Sequence, residues 1–123
     1  MSKNVIKDKS FAFALRPIKL YQLLADQKEF VLSRQLLKSG TSIGALVREA
    51  EHAESKADFI HKMAIAQKEA IAQKEANETD YWIELLYQSE YINNSSLESI
   101  SSDLNEINKL LASIIITSKS RKK

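Results

Sequence analysis

The chain contains no cysteine, one proline (Pro17) and two glycines (Gly40, Gly44) in 123 residues. The lack of cysteine removes disulfide frameworks, thiolate catalysis and Cys-ligated zinc. Tight hairpins and bulges draw heavily on glycine, so two glycines argue against an all-β fold. No apolar run approaches the ~20 residues of a membrane-spanning helix. The opening MSKNVIKDKS also has no apolar signal core. The expectation is a soluble cytoplasmic protein that makes no membrane contact.

What the chain does have is helix composition: Ala, Leu, Lys, Glu, Gln and Ile dominate, and 44% of residues are apolar. Four amphipathic segments can be traced. The first runs from Phe11 or Leu15 to Ala25, with Ile18, Tyr21 or Gln22, and Ala25 as its stripe, Leu15 and Leu24 nearby, and a bend at Pro17. The second runs from Phe30 to Ala53 on Leu32, Leu36, Ile43 and Val47. Its KSGTSIGA core weakens a helix, but the stripe stays in phase, and Gly40 and Gly44 offer a small face for close approach of a neighbour. The third opens on a Ser55–Asp58 capping box and continues to about Ile92; the fourth opens on a Ser95–Glu98 box and continues to about Thr117.

Four such helices joined by short links predict an all-α, antiparallel up-down-up-down four-helix bundle. The domain spans 10–117, between a basic N-terminal arm (1–9) and a basic C-terminal tail (118–123). Net charge is only +2, but residues 1–20 carry five bases against one acid, and residues 55–92 carry four bases against seven acids. In this topology the chain's two ends and the second link share one pole, which collects lysines from both tails. The competing reading is that basic ends merely solubilise the termini.

The segments RQLLKSGTSIGALVREAEHAESKADFIHKMAIAQKEA and KEANETDYWIELL resemble the 23S rRNA intervening-sequence protein family over about residues 10–115. LLKSGTSIGA, SKADF and KEANETDYW are the most specific parts. The resemblance implies a small bacterial four-helix bundle without enzymatic activity. The family resembles in turn the accessory proteins of diversity-generating retroelements, which form basic homopentameric barrels that bind nucleic acid. The resemblance therefore implies a homo-oligomer, with five subunits expected, and RNA as the partner class. It implies no cofactor and no small-molecule substrate.

Several residue patterns invite a chemical reading. Glu49-x-x-His52 and Asp58-x-x-His61 echo the carboxylate-x-x-His pairs of di-metal bundles, but the pole they share lacks the further carboxylates, so no metal site is expected. Ser39, Thr41 and Ser42 surround glycines at the wrong spacing for a phosphate loop, and no lysine follows. Arg34, Lys38 and Arg48 follow one helical path, with Arg34, Thr41 and Arg48 a heptad apart. With Lys119, Arg121 and Lys122 of the tail they form the candidate nucleic-acid-binding set, each charge acting non-specifically on phosphate. The opposing reading is an exposed face neutralised by nearby Glu49 and Glu51. Tyr81, Trp82, Tyr87 and Tyr91 lie in the acidic third helix and are assigned to the core or a subunit interface.

IAQKEA occurs twice without a gap, at 65–70 and 71–76, whereas the family pattern runs one copy straight into NET-x-YW. Six residues turn a helix through ~600°, or about 120° short of two turns. Ile65 and Ile71 therefore cannot share a stripe. Both copies are rich in helix formers, so a continuous helix is expected, with one isoleucine facing the core and the other on a flank.

Overall fold

The structure, a computed structural model, describes the backbone of residues 2–54 and 59–120 and the side chains of residues 5–50 and 68–116. Four helices follow in order: α1 (Ser2–Asp26), α2 (Val31–Glu54), α3 (Phe59–Gln88) and α4 (Asn94–Ser120), with no strand among the described residues. Contacts set the directions. Gly40 faces Pro17 and Gly44 faces Ser10 across α1 and α2. Ser39 meets Thr79 and Ser42 meets Glu75 across α2 and α3. Lys9 meets Glu106 and Arg16 meets Asp103 across α1 and α4. Numbers rise on one helix as they fall on the next, so neighbours run antiparallel. α1 and α3 stand at opposite corners, as do α2 and α4.

The links explain the sharp reversals. Lys28 (φ 64°) and Glu90 (φ 68°) each take the left-handed conformation just past a helix end. Glu29 N then donates to Leu24 O and Tyr91 N to Leu86 O, both at 2.9 Å, which caps carbonyls the helix leaves open. α2 begins on a carboxylate: Glu29 accepts from the amides of Val31, Leu32 and Ser33 at 3.1, 3.0 and 2.7 Å. Burial pushes the Glu29 carboxyl up, but these amides and the Ser33 hydroxyl outweigh it and hold it below its ordinary value.

Of the expected α2 stripe, Leu36, Ile43 and Val47 are buried and Leu32 is half-buried; on α4, Ile100, Leu104, Ile107, Leu111 and Ile114 are buried. Gly40 also fulfils its expected role, since an added Cβ would lie 2.8 Å from Pro17 Cγ. A buried Thr79–Ser39 hydrogen bond of 2.9 Å ties α2 to α3 inside this core.

Several boundaries differ, and so does the buried face of α1: α3 ends at Gln88 and α4 at Ser120, where Ile92 and Thr117 were expected. α1 starts at Ser2, so the segment expected as an arm forms its first turns, and Ile6 and Ser10 are buried there. The buried face of α1 is Ile6, Phe13 and Leu24, whereas Leu15 and Ile18 point outward. Pro17 lies within the continuous helix and packs against the hydrogen-only face of Gly40. α4 is capped two residues earlier than expected: Asn93 Oδ1 accepts from Ser96 N at 2.8 Å. The Ser55–Asp58 box lies outside the described residues.

α3 passes through both hexapeptides without interruption. The 120° offset is visible in the side chains. Ala76 is buried and its counterpart Ala70 is exposed; Glu69 is buried and its counterpart Glu75 is half-buried. Ile71 is on the outer flank, 38% exposed. The side chain of Ile65 lies outside the described residues.

Candidate nucleic-acid interface

Arg34, Lys38 and Arg48 are all exposed, on the side of α2 opposite Leu36, Ile43 and Val47. Fourteen residues separate the first from the last, so the stripe is about 21 Å long. Thr41 and Ala45 lie between. The Thr41 hydroxyl donates back to Leu37 O at 2.7 Å, which leaves the line between the cations small and uncharged. Val31–Ala50 contains a single acid, Glu49, and Lys68 of α3 holds it at 2.9 Å. Of the two neutralising partners expected beside the stripe, Glu49 is therefore turned away from it, and the Glu51 side chain lies outside the described residues. Among the described residues none of the three cations forms an ion pair.

Arg48 has a different neighbour, with its guanidinium 5.7 Å from the centre of the Phe11 ring. Phe11, Leu15 and Ile18 form an exposed apolar stripe along α1, next to the basic stripe of α2. Sequence reasoning placed Leu15 and Ile18 inside and did not see this junction. The signal was present as a second apolar series interleaved with Ile6, Phe13 and Leu24.

The remaining cations fall into two groups. Lys9 and Arg16 are engaged on α4, by Glu106 at 3.0 Å and Asp103 at 2.7 Å, and Arg16 also donates to Ser99. They close the α1–α4 seam instead of serving a ligand. The Lys119 side chain and Arg121 and Lys122 lie outside the described residues, as do the side chains of His52 and His61 and all of Asp58, and with them the two carboxylate-x-x-His pairs. Among the described residues no group of three or more His, Asp or Glu could hold a metal ion, and no helix is long and apolar enough to cross a membrane.

Of the four aromatics assigned to core or interface, Trp82 and Tyr87 pack partly against the core, while Tyr81 is 57% exposed. Tyr81 meets Trp82 edge-on at 5.1 Å, and Trp82 Nε1 donates to Glu78 at 3.4 Å.

The family model described as 23S rRNA-intervening sequence protein matches residues 2–113. A solved structure, of a protein with unknown function from the S23 ribosomal protein family of Bacteroides thetaiotaomicron VPI-5482, is 57% identical. The match covers 94% of this chain and 98% of that one, with a TM-score of 0.84. No curated protein matches the chain.

Proposed function

From the premise that this chain belongs to the 23S rRNA-intervening sequence protein family, we propose that it is a non-enzymatic, oligomeric RNA-binding protein of the cytoplasm that contacts phosphates through the exposed face of α2. One observation carries the reading. Arg34, Lys38 and Arg48 stand in line on that face, and the one acid of its described part is tied to Lys68. Such a stripe recognises charge and spacing but no base edges, so binding is weak per copy, indifferent to sequence and steeply dependent on salt. The tail residues Lys119, Arg121 and Lys122 add charge at one end of the bundle. Kinship with the accessory proteins of diversity-generating retroelements, and five subunits, belong to the same proposal.

A scaffold that binds only protein is the second reading, and the exposed Phe11, Leu15 and Ile18 favour it. RNA pull-down and sequencing from the native host separates the two, with a control lacking residues 118–123 and one carrying Arg34→Gln, Lys38→Gln and Arg48→Gln. Recovery of RNA that falls with the glutamine substitutions supports the proposal. RNA recovery no greater than from the substituted chain would turn the reading towards the scaffold.

A further inference from the structure

We infer that the α2 face takes RNA as an unpaired strand, its phosphates on Arg34, Lys38 and Arg48 and its bases stacked on Phe30 and Phe11. This rests on the phosphate-contact reading above and names the form of RNA the face accepts. The exposed aromatic side chains among the described residues are Phe11, Phe30, Tyr81 and Tyr91. Two of them flank the cations. Phe30 stands between the capping Glu29 and Val31, the first residue of α2, and so lies one turn before Arg34. Eighteen residues, about five full turns, separate Phe30 from Arg48 and set them in line. At the far end of that line Phe11 reaches the face from α1, its ring beside the Arg48 guanidinium. The order along the surface is ring, Arg34, Lys38, Arg48, ring, over about 27 Å. Lys28, also exposed, adds a cation at the Phe30 end.

The other two exposed rings stand among acids. Tyr81 has Glu78, Asp80 and Glu84 within a turn, all exposed, and Tyr91 follows Glu90. Phosphate is repelled there, whereas it is attracted beside Phe11 and Phe30. Asp8, three residues before Phe11, is the one acid of α1 between Val5 and Ala25, and Arg48 against the ring offsets it. Phe11 is 55% exposed and Phe30 43%, so each ring keeps open surface beside its own packing. Leu15 and Val31, exposed next to the two rings, widen the apolar footing for a base. These features separate the forms of RNA. In a duplex the bases are stacked on one another, so the cations find phosphates but the rings find nothing to stack on. An unpaired strand turns its bases out onto the rings while its phosphates follow the cations. Stacking uses the π-face that every base has, so the strand is held without regard to its sequence.

Fluorescence anisotropy tests this on the full chain, with an oligouridine strand that stays unpaired and a blunt RNA duplex of equal length. At equal salt the strand should bind roughly tenfold or more tightly than the duplex. Phe11→Ala and Phe30→Ala should each weaken binding of the strand roughly tenfold and leave that of the duplex unchanged. Both sites are exposed, and circular dichroism checks that each variant is folded. The slope of log K against log salt should stay as it was, since no cation is lost. Phe30→Leu keeps apolar bulk without a π-face and should also weaken the strand; Phe30→Trp should bind it as tightly as the unaltered chain. Tyr81→Ala should change neither affinity. Equal affinity for strand and duplex overturns the inference, and so do ring substitutions that act on both RNAs alike or on neither. If duplex and strand bind equally and both weaken with Arg34→Gln and Lys38→Gln, the phosphate reading stands and this inference alone falls. Failure to bind either RNA overturns both.

Discussion

The Arg48 guanidinium lies over the Phe11 ring, 5.7 Å from its centroid, and so joins the basic stripe of α2 to the apolar stripe of α1. A cation over a partly exposed ring contributes about 0.5–1 kcal/mol. A double-mutant cycle with Phe11→Leu and Arg48→Gln, read by urea unfolding at one fixed protein concentration, should return a coupling of about that size. Additivity of the two changes would show that the geometry carries no energy.

The two glycines of α2 should respond differently to alanine. At Gly40 the new Cβ would stand 2.8 Å from Pro17 Cγ and 3.2 Å from its Cβ, and the proline ring cannot swing away. Overpacking should outweigh the gain in helix propensity, for a net loss of about 1–2 kcal/mol. At Gly44 the nearest atom is Ser10 O at 3.3 Å, so a small backbone shift suffices and the change should lie within about 1 kcal/mol of neutral. Equal effects at the two sites in chemical denaturation would contradict the packing described here.

Lys28 and Glu90 occupy positions where a side chain is disfavoured, at φ 64° and 68°. Glycine in that conformation avoids a cost of about 1–2 kcal/mol. Lys28→Gly and Glu90→Gly should each raise stability by about 1 kcal/mol, partly offset by the greater freedom of glycine in the unfolded chain. A lower melting temperature for both would be the opposite result.

Glu29 gives the fold a pH-dependent component. Its carboxyl is held below the ordinary value in the folded state, so the charged form is favoured by folding. The resulting stability is fully present above the unfolded carboxylate pKa of ~4.3 and is lost as pH falls through the lower folded value. Glu29→Gln should cost about 1 kcal/mol at neutral pH. The gap to the unaltered chain should narrow below about pH 4. A gap that stays constant through that range would assign the loss to packing instead of charge.

Much of α2 and α4 was legible from spacing, because each has one dominant stripe that is also the buried one. α1 and α3 were not, for a related reason. On α1 two apolar series interleave, Ile6–Phe13–Leu24 and Phe11–Leu15–Ile18, and periodicity cannot say which faces the core. On α3 the buried face is small and polar over Glu69, Ala72, Ala76 and Thr79 and turns large and apolar only at Ile83 and Leu86, while Ile71 and Tyr81 point out. The cation stripe was legible because three bases on one path need only helix geometry. Its freedom from Glu49 was not, since that depends on Lys68 reaching across from α3.

The duplicated hexapeptide should be dispensable for folding. Deleting Ile71–Ala76 slides Lys62 into the place of Lys68, opposite Glu49, and Glu69 into the half-buried place of Glu75. The helix shortens by about 9 Å and a buried carboxylate is relieved. The deletion chain should remain helical with a cooperative transition, and Ile65 should take the flank position that Ile71 leaves. A chain that fails to fold would show that the second copy is structurally required.

If the α2 face meets RNA phosphates, binding must depend on salt through Arg34, Lys38 and Arg48. Affinity for a labelled RNA is measured by fluorescence anisotropy across a series of salt concentrations, for the unaltered chain and for the Arg34→Gln, Lys38→Gln, Arg48→Gln chain. Each phosphate that the protein no longer neutralises should flatten the slope of log K against log salt by about 0.7–0.9. The slope should be shallower by about 2 or more in the substituted chain, with affinity lowered at every salt concentration. Identical slopes and affinities for the two chains would contradict it.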